Sequence, residues 1–275
     1  MIKISNIDFS YGRGSKVFDN LNLDLNKGHI YGLLGRNGMG KSTILKLISG
    51  MIFPQTGTVE TMGVDPSKRL PSMMTQLYYV PEEIYTPSVN MTKFVKHNAP
   101  FYVNFSHEDL LVYMTEFELS FDKKISSMSL GQKKKAIIAF ALACRTPLLI
   151  MDEPTNGLDI PSKSQFRKII SGIATDDRCI IISTHQVRDL ENLIDTLVVL
   201  EGSEIIANAS IYDIGKKLMF KAIEPDETAI YSEGNVRGAW GVVENTHNED
   251  SKVDIELFFN AAISQPETIK NILNK

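Results

Sequence analysis

Gly35-Arg36-Asn37-Gly38-Met39-Gly40-Lys41-Ser42 is the stretch on which the fold turns. It matches G-x-x-x-x-G-K-[S/T] at every fixed position, the pattern of a phosphate-binding loop. Glycines let the backbone wrap close to phosphate oxygens with successive N–H groups pointing inward. A helix opening at the end of the loop presents its positive end to the same anion. The flanks have the required form. Residues 29–34 are a short apolar run that reads as a strand, and residues 42–49 carry Ile44, Leu45, Leu47 and Ile48 at helical spacing, with Gly50 placed as a C-cap. In that setting Lys41 reaches the β- and γ-phosphates of a nucleotide and Ser42 ligates Mg²⁺.

Working outward, residues 2–9 alternate at period two and read as a strand. Tyr11-Gly12-Arg13-Gly14 is a turn. Residues 17–25 form a second strand with Leu21, Leu23 and Leu25 on one face, Asn26-Lys27-Gly28 turns the chain, and residues 57–62 give another strand. Residues 91–119 change to helical periodicity with Phe94, Phe101, Tyr102, Phe105, Tyr113 and Phe117. This predicts a helical subdomain, about residues 86–145, whose aromatic stripe is its core. From Gly131 helix and buried strand alternate: helices over 131–144, 161–173 and 186–193, strands over 148–151, 179–183 and 197–200. A hairpin through Glu201-Gly202-Ser203 follows, into 204–209. That alternation argues for a mostly parallel sheet covered by helices. Beyond about Lys221 the pattern is that of a small α+β appendage, with strand-like 228–231, 240–243 and 253–259 before a helical tail over 266–273.

The 275 residues are 43% apolar and 23% charged, ordinary globular composition and long enough to bury a core. A net charge of −4 argues against nucleic acid as the main partner. Cys144 and Cys179 lie far apart, outside metal or redox spacing, and read as buried thiols in a reducing compartment. Met1-Ile2-Lys3-Ile4-Ser5 lacks the apolar stretch of a signal peptide. No apolar run approaches the ~18 residues that cross a bilayer, so a membrane function requires spans on another chain.

Further segments bear on chemistry. Leu148-Leu149-Ile150-Met151-Asp152-Glu153 is an apolar strand ending in two carboxylates. Asp152 is the Mg²⁺-side acid, and Glu153 is placed to orient and deprotonate a water aimed at the γ-phosphate; the bland alternative is a solvated acid pair. Ser129-Leu130-Gly131-Gln132 opens a helix and reads either as an ordinary N-cap or as a phosphate site. His185, after the strand 179–183, reads as a γ-phosphate donor or a surface loop histidine. Tyr11 reads as a purine-stacking ring or a packed turn tyrosine. Lys133-Lys134-Lys135 reads as a solvated helix face rather than a nucleic-acid patch.

In order, Tyr11, the phosphate loop, Ser129–Gln132, Asp152-Glu153, Gly157-Leu158-Asp159 and His185 resemble the ATP-binding cassette (ABC) ATPases, in particular the nucleotide-binding subunits of bacterial ABC transporters. The resemblance covers roughly residues 1–215, an ABC ATPase domain, and leaves 216–275 as a small C-terminal accessory region. It implies an α/β P-loop NTPase with a RecA-like core, an antiparallel β-subdomain, the inserted helical subdomain and the α+β appendage. It implies Tyr11 as the adenine-stacking residue and Gly35, Arg36, Asn37, Gly38, Met39, Gly40, Lys41, Ser42 and Thr43 as the Walker A loop. Asp152 and Glu153 become the Walker B acid and catalytic base, Asp159 part of the D-loop and His185 the switch histidine. Ser129, Gly131 and Gln132 become the signature segment that meets ATP bound by the opposite subunit.

Two positions depart from the family pattern. Met128-Ser129-Leu130-Gly131-Gln132 stands where Leu-Ser-Gly-Gly-Gln is usual, and Leu130 removes some backbone freedom. Tyr79-Val80-Pro81-Glu82 aligns with the Q-loop and puts Glu82 where glutamine is usual; a carboxylate there can still ligate Mg²⁺ or hold a water. The resemblance implies two ATP molecules with Mg²⁺ sandwiched between this chain and a second ABC ATPase subunit, as a homo- or heterodimer. Hydrolysis is coupled to an integral membrane permease, with the subunit peripheral on the cytoplasmic face of the cell membrane. The rival expectation is a soluble ABC-type ATPase acting on ribosomes or DNA. Such proteins usually carry two cassettes in one chain or a long coiled-coil insertion, and neither pattern is visible.

Overall fold

Period-two alternation in the first residues folds back on itself. The computed structural model describes residues 1–12, 14–85, 87–224, 227–235, 238–247 and 249–274. Strands β1 (Ile2–Ser10) and β2 (Lys16–Leu25) pair antiparallel, Ile4 opposite Leu23 and Phe9 opposite Phe18. Strand β3 (His29–Leu34) leads through the glycine-rich loop into helix α1 (Lys41–Ile48), and β4 (Thr56–Thr61) returns to pair with β1. The inward Ile2, Ile4, Leu21 and Leu23 pack with Ile44, Leu45, Leu47 and Ile48 of α1, so the antiparallel sheet and the loop's helix share one core.

A short helix, α2 (Pro71–Met74), precedes strand β5 (Leu77–Val80). The helical subdomain follows, with α3 (Met91–Asn98), α4 (His107–Glu116) and α5 (Leu130–Ala143). Its aromatic core gathers on Phe140, with ring centroids of Phe94 at 5.0 Å and Phe105 at 5.2 Å. Phe101 departs from the expected stripe and is exposed. Residues 136–143 of α5 are buried all round, which is why no one-sided apolar stripe is legible there.

Strand β6 (Leu148–Asp152), helix α6 (Ile160–Ile173) and strands β7 (Cys179–Thr184), β8 (Thr196–Glu201) and β9 (Glu204–Ser210) complete a six-stranded sheet in the order β5-β6-β7-β3-β8-β9. All neighbours are parallel except β8 and β9. Covered on both faces, β6 and β7 are wholly buried and read as continuous apolar runs. The register sets Asp152 opposite Ser183 and Leu34 opposite Thr184, so the carboxyl ends of β6, β7 and β3 meet at one edge. Ligands of open α/β sheets bind at that edge.

The expected helix over 186–193 is only a 3₁₀ turn, Val187–Leu190. The Asp189 carboxylate accepts from the Thr155 hydroxyl and from Lys163 at 2.9 Å each, and Asn192 takes a left-handed backbone (φ 64°), which ends the winding. After α7 (Ile211–Lys217) come β10 (Leu218–Ile223), β11 (Tyr231–Asn235) and β12 (Gly238–Glu244), a second antiparallel sheet in the order β10-β12-β11. Residues 253–259, expected as a strand, instead enter helix α8 (Ile255–Ser264), because Asp254 caps it by accepting from Leu257 N. The expected strand over 228–231 begins only at Tyr231. Helix α9 (Pro266–Asn274) packs on β9, where Lys270 pairs with Glu204, and on α7, where Lys217 donates to Leu273 O. Phe258, Ala261 and Ile269 belong to the same apolar cluster as Leu197 and Val199 of β8. Cys144 and Cys179 are free and buried, as expected, and burial pushes the Cys179 thiol up to about 12. Among the described residues no helix is long and apolar enough to cross a membrane.

Candidate active site

The loop between β3 and α1 is held open by backbone that favours glycine. Gly40 sits at φ 98°, and a Cβ there would meet two ring carbons of the buried Phe18 at 2.7 Å. Lys41 is 7% exposed, and its ammonium turns into the loop to donate to Gly35 O at 2.7 Å and Arg36 O at 3.3 Å. Burial lowers its pKa, opposed by the charges of Glu153, Asp152 and Glu82. Arg36 pairs with Glu201, Met39 Sδ accepts from Gly202 N, and Asn37 and Gly38 are exposed. Ser42 is half-buried at the start of α1. Beside it the Thr43 hydroxyl lies 3.2 Å from that of Tyr11, whose ring stands edge-on to Phe9 and is otherwise exposed.

Asp152 and Glu153 face this loop from the end of β6. Asp152 is 3% exposed; its Oδ1 accepts from the Ser183 hydroxyl at 2.5 Å and its Oδ2 from Tyr79 at 3.2 Å. Glu153 takes a left-handed backbone at φ 46°, a position an L-residue holds only when its surroundings fix it. Its N–H donates to Ser183 Oγ at 3.0 Å. Glu153 Oε1 lies 2.8 Å from His185 Nδ1 and 3.9 Å from the Lys41 ammonium. Lys41, Glu153 and His185, read from three separate stretches, therefore meet at one point.

The remaining sequence-predicted residues lie around this point. Ser129 caps α5 in a capping box with Gln132: Gln132 N donates to Ser129 Oγ at 3.3 Å and Ser129 N to Gln132 Oε1 at 3.2 Å. Leu130 is 66% exposed, and a Cβ on Gly131 would meet Gly157 O at 3.3 Å. Asp159 caps α6 by accepting from Ser162 N at 2.9 Å. Glu82 accepts from Asn156 Nδ2 at 3.2 Å.

One expectation about the surroundings of the site is overturned. Lys133-Lys134-Lys135 is not a solvated face. Lys134 is 3% exposed and donates to Glu153 O at 2.8 Å and Asn156 O at 3.0 Å, while Lys135 lies half-buried over the Phe117 ring and donates to Ser162. Because residues 136–143 are buried all round, each of the three lysines lies one turn before buried residues, and spacing alone does not single out position 134. Ser183 also escaped the sequence reading, though a serine closing the apolar Cys179-Ile180-Ile181-Ile182 could have marked it.

The hydroxyl of Ser42 and the carboxylates of Asp152 and Glu82 are hard oxygen donors of the kind Mg²⁺ takes. Among the described residues no group of three or more His, Cys, Asp or Glu could hold a metal by itself. These donors fit a cation that arrives with phosphate ligands and keeps several waters.

A phosphate loop between a central parallel strand and its helix, facing two acids at the end of β6 across the intervening β7, defines a P-loop nucleoside triphosphatase. The profile of the family described as ABC transporter matches residues 18–156. The lantibiotic transport ATP-binding protein SrtF of Streptococcus pyogenes is 31% identical over 211 residues, 75% of this chain and 89% of SrtF. The ABC transporter ATP-binding protein YtrB of Bacillus subtilis is 30% identical over 194 residues, 70% of this chain and 66% of YtrB. A solved ATP-binding subunit of an ABC transporter superposes with a TM-score of 0.69 at 24% identity, covering 78% of this chain and 91% of that one. The chain belongs to the ABC transporter family, as an ATP-binding subunit that hydrolyses ATP to energise a transporter.

Proposed function

We propose that ATP binds on loop 35–43 with Mg²⁺ and is hydrolysed between this chain and a second ABC ATPase subunit, driving a separate membrane permease from the cytoplasmic side. The observation that carries this reading is the meeting of Lys41, Glu153 and His185 at the carboxyl edge of the sheet. The Lys41 ammonium, now satisfied by two neutral carbonyls, exchanges them for anionic phosphate oxygens, which are stronger acceptors. Tyr11 stacks on adenine, and loop backbone N–H groups hold the phosphates. Ser42 and Asp152, with Glu82 as a further oxygen donor, hold Mg²⁺, whose charge offsets that of the phosphates. Glu153 accepts the proton of a water as its oxygen bonds to the γ-phosphorus and the bond to the β-phosphate oxygen breaks, leaving ADP and inorganic phosphate. His185 holds the Glu153 carboxylate and donates toward the γ-phosphate.

Ser129, Gly131, Gln132 and Asp159 serve the second ATP site. Among the described residues no hydrogen bond joins them to loop 35–42 of their own chain, and the exposed start of α5 is available to a partner. We assign residues 1–215 to the ATPase domain, with the helical subdomain near 86–145, and residues 216–275 to an accessory region.

The test is Glu153→Gln with ATP and Mg²⁺. Phosphate release should fall by ~10²–10⁴-fold, the range for loss of a general base, while ATP still binds and a closed dimer accumulates on light scattering. Near-normal turnover would defeat the assignment of the base. The same variant, tagged and extracted in mild detergent, should carry a polytopic membrane protein; ribosomes or DNA in its place would overturn the transport reading alone.

A further inference from the structure

We propose that Lys134 is a positioning residue for hydrolysis, tying the helix that meets the second ATP to the backbone of the catalytic base. The inference rests on the reading of Glu153 as base and of Ser129–Gln132 as the segment offered in trans. Lys134 is buried, and an apolar side chain of similar length could fill its space without the cost of burying a charge. Its ammonium spends two donors on main-chain oxygens, Glu153 O at 2.8 Å and Asn156 O at 3.0 Å. Those carbonyls bracket the turn that follows β6.

Where the Glu153 carboxylate points depends on that turn. The residue sits at φ 46°, and it is gripped from both sides: its N–H by Ser183, its C=O by Lys134. Lys134 stands on α5, whose first residues are Leu130, Gly131 and Gln132. Gly131 lies against Gly157 O of the same turn, so α5 touches the segment 153–157 at its start and again at Lys134. A displacement of α5 by ATP at Ser129 is therefore delivered to the backbone of Glu153. A second input arrives through Asn156, whose side chain donates to Glu82 while its carbonyl accepts from Lys134.

Steady-state ATPase assays on the full chain test this with Lys134→Met, which removes the donors, and Lys134→Arg, which keeps them. Lys134→Met should lose ~10-fold or more in kcat with KM for ATP within ~2-fold, and Lys134→Arg should recover most of the loss, since an interaction that only positions the base is read in kcat. Should Lys134→Met not fold, as judged by its melting curve, Lys134→Gln, whose uncharged amide is one bond too short to span both carbonyls, takes its place with the same expected split. Turnover within ~2-fold of the parent, or KM rising in step with the fall in kcat, would overturn the proposal. Glu153→Gln assayed in parallel separates the two readings. If it stalls while Lys134→Met turns over normally, only the role of Lys134 falls. If it turns over normally, the base assignment falls first.

Discussion

Ser183→Ala removes one hydroxyl from the junction of β6 and β7 and should be felt in the stability of the whole sheet. The hydroxyl donates to Asp152 Oδ1 at 2.5 Å and accepts from Glu153 N at 3.0 Å, in a place closed to solvent. The two bonds are not equally costly to lose. Glu153 N retains a second acceptor, Ser183 O at 3.2 Å. Asp152 Oδ1 loses its donor in a buried position. A hydrogen bond to a charged group contributes ~1.5–3 kcal/mol, so the net loss should be about 2 kcal/mol. In a domain of this size that lowers Tm by about 4–8 °C. Tyr79→Phe removes the partner of the other carboxylate oxygen, but that bond is longer, 3.2 Å, and half-buried, so its loss should be nearer ~1 kcal/mol. Denaturant melts of both variants measure the pair. A Ser183→Ala cost below ~0.5 kcal/mol, or one smaller than that of Tyr79→Phe, would refute the view that this hydroxyl fixes the acid.

Gly40→Ala should cripple ATP binding: a left-handed alanine costs ~1–2 kcal/mol and crowding the Phe18 ring a further ~1–3. Unchanged nucleotide affinity and melting temperature would rule out that account. Lys41 should couple ATP binding to protons. Because burial lowers its pKa below the ordinary 10.5, neutral amine accumulates below that value; phosphate requires the ammonium, so affinity falls as pH rises and binding takes up protons there. Calorimetry in buffers of differing ionisation enthalpy from about pH 8 to about pH 10 should detect that uptake, and its absence would refute the shift.

The phosphate loop and the acid pair were legible because their chemistry fixes residue type and spacing within short stretches. The parallel sheet was legible because strands buried on both faces, such as 148–151 and 179–183, must be apolar throughout. What escaped depended on partners distant in sequence. Nothing local to Lys133-Lys134-Lys135 shows that two carbonyls about twenty residues away await the middle lysine. Val253-Asp254-Ile255-Glu256-Leu257 alternates like a strand, yet the Asp254 cap and the burial of Phe258, Ala261 and Ala262 make it the first turn of a helix. The segment 186–193 has helical spacing but too few free residues to wind once Asp189 is drawn to Thr155 and Lys163.

Packing of α8 and α9 against β8 and β9 also sets an order of events. A chain leaves the ribosome N-terminus first, and its folded parts form as they emerge. Strand β9 is the outermost strand of the six-stranded sheet, and the helices that cover it are made after everything they cover. Until α8 and α9 are out, the apolar face that they cover on β8 and β9 stands open, and exposed apolar surface makes nascent chains aggregate. The hazard of aggregation for this protein falls in that interval, and a holding chaperone would find its target there.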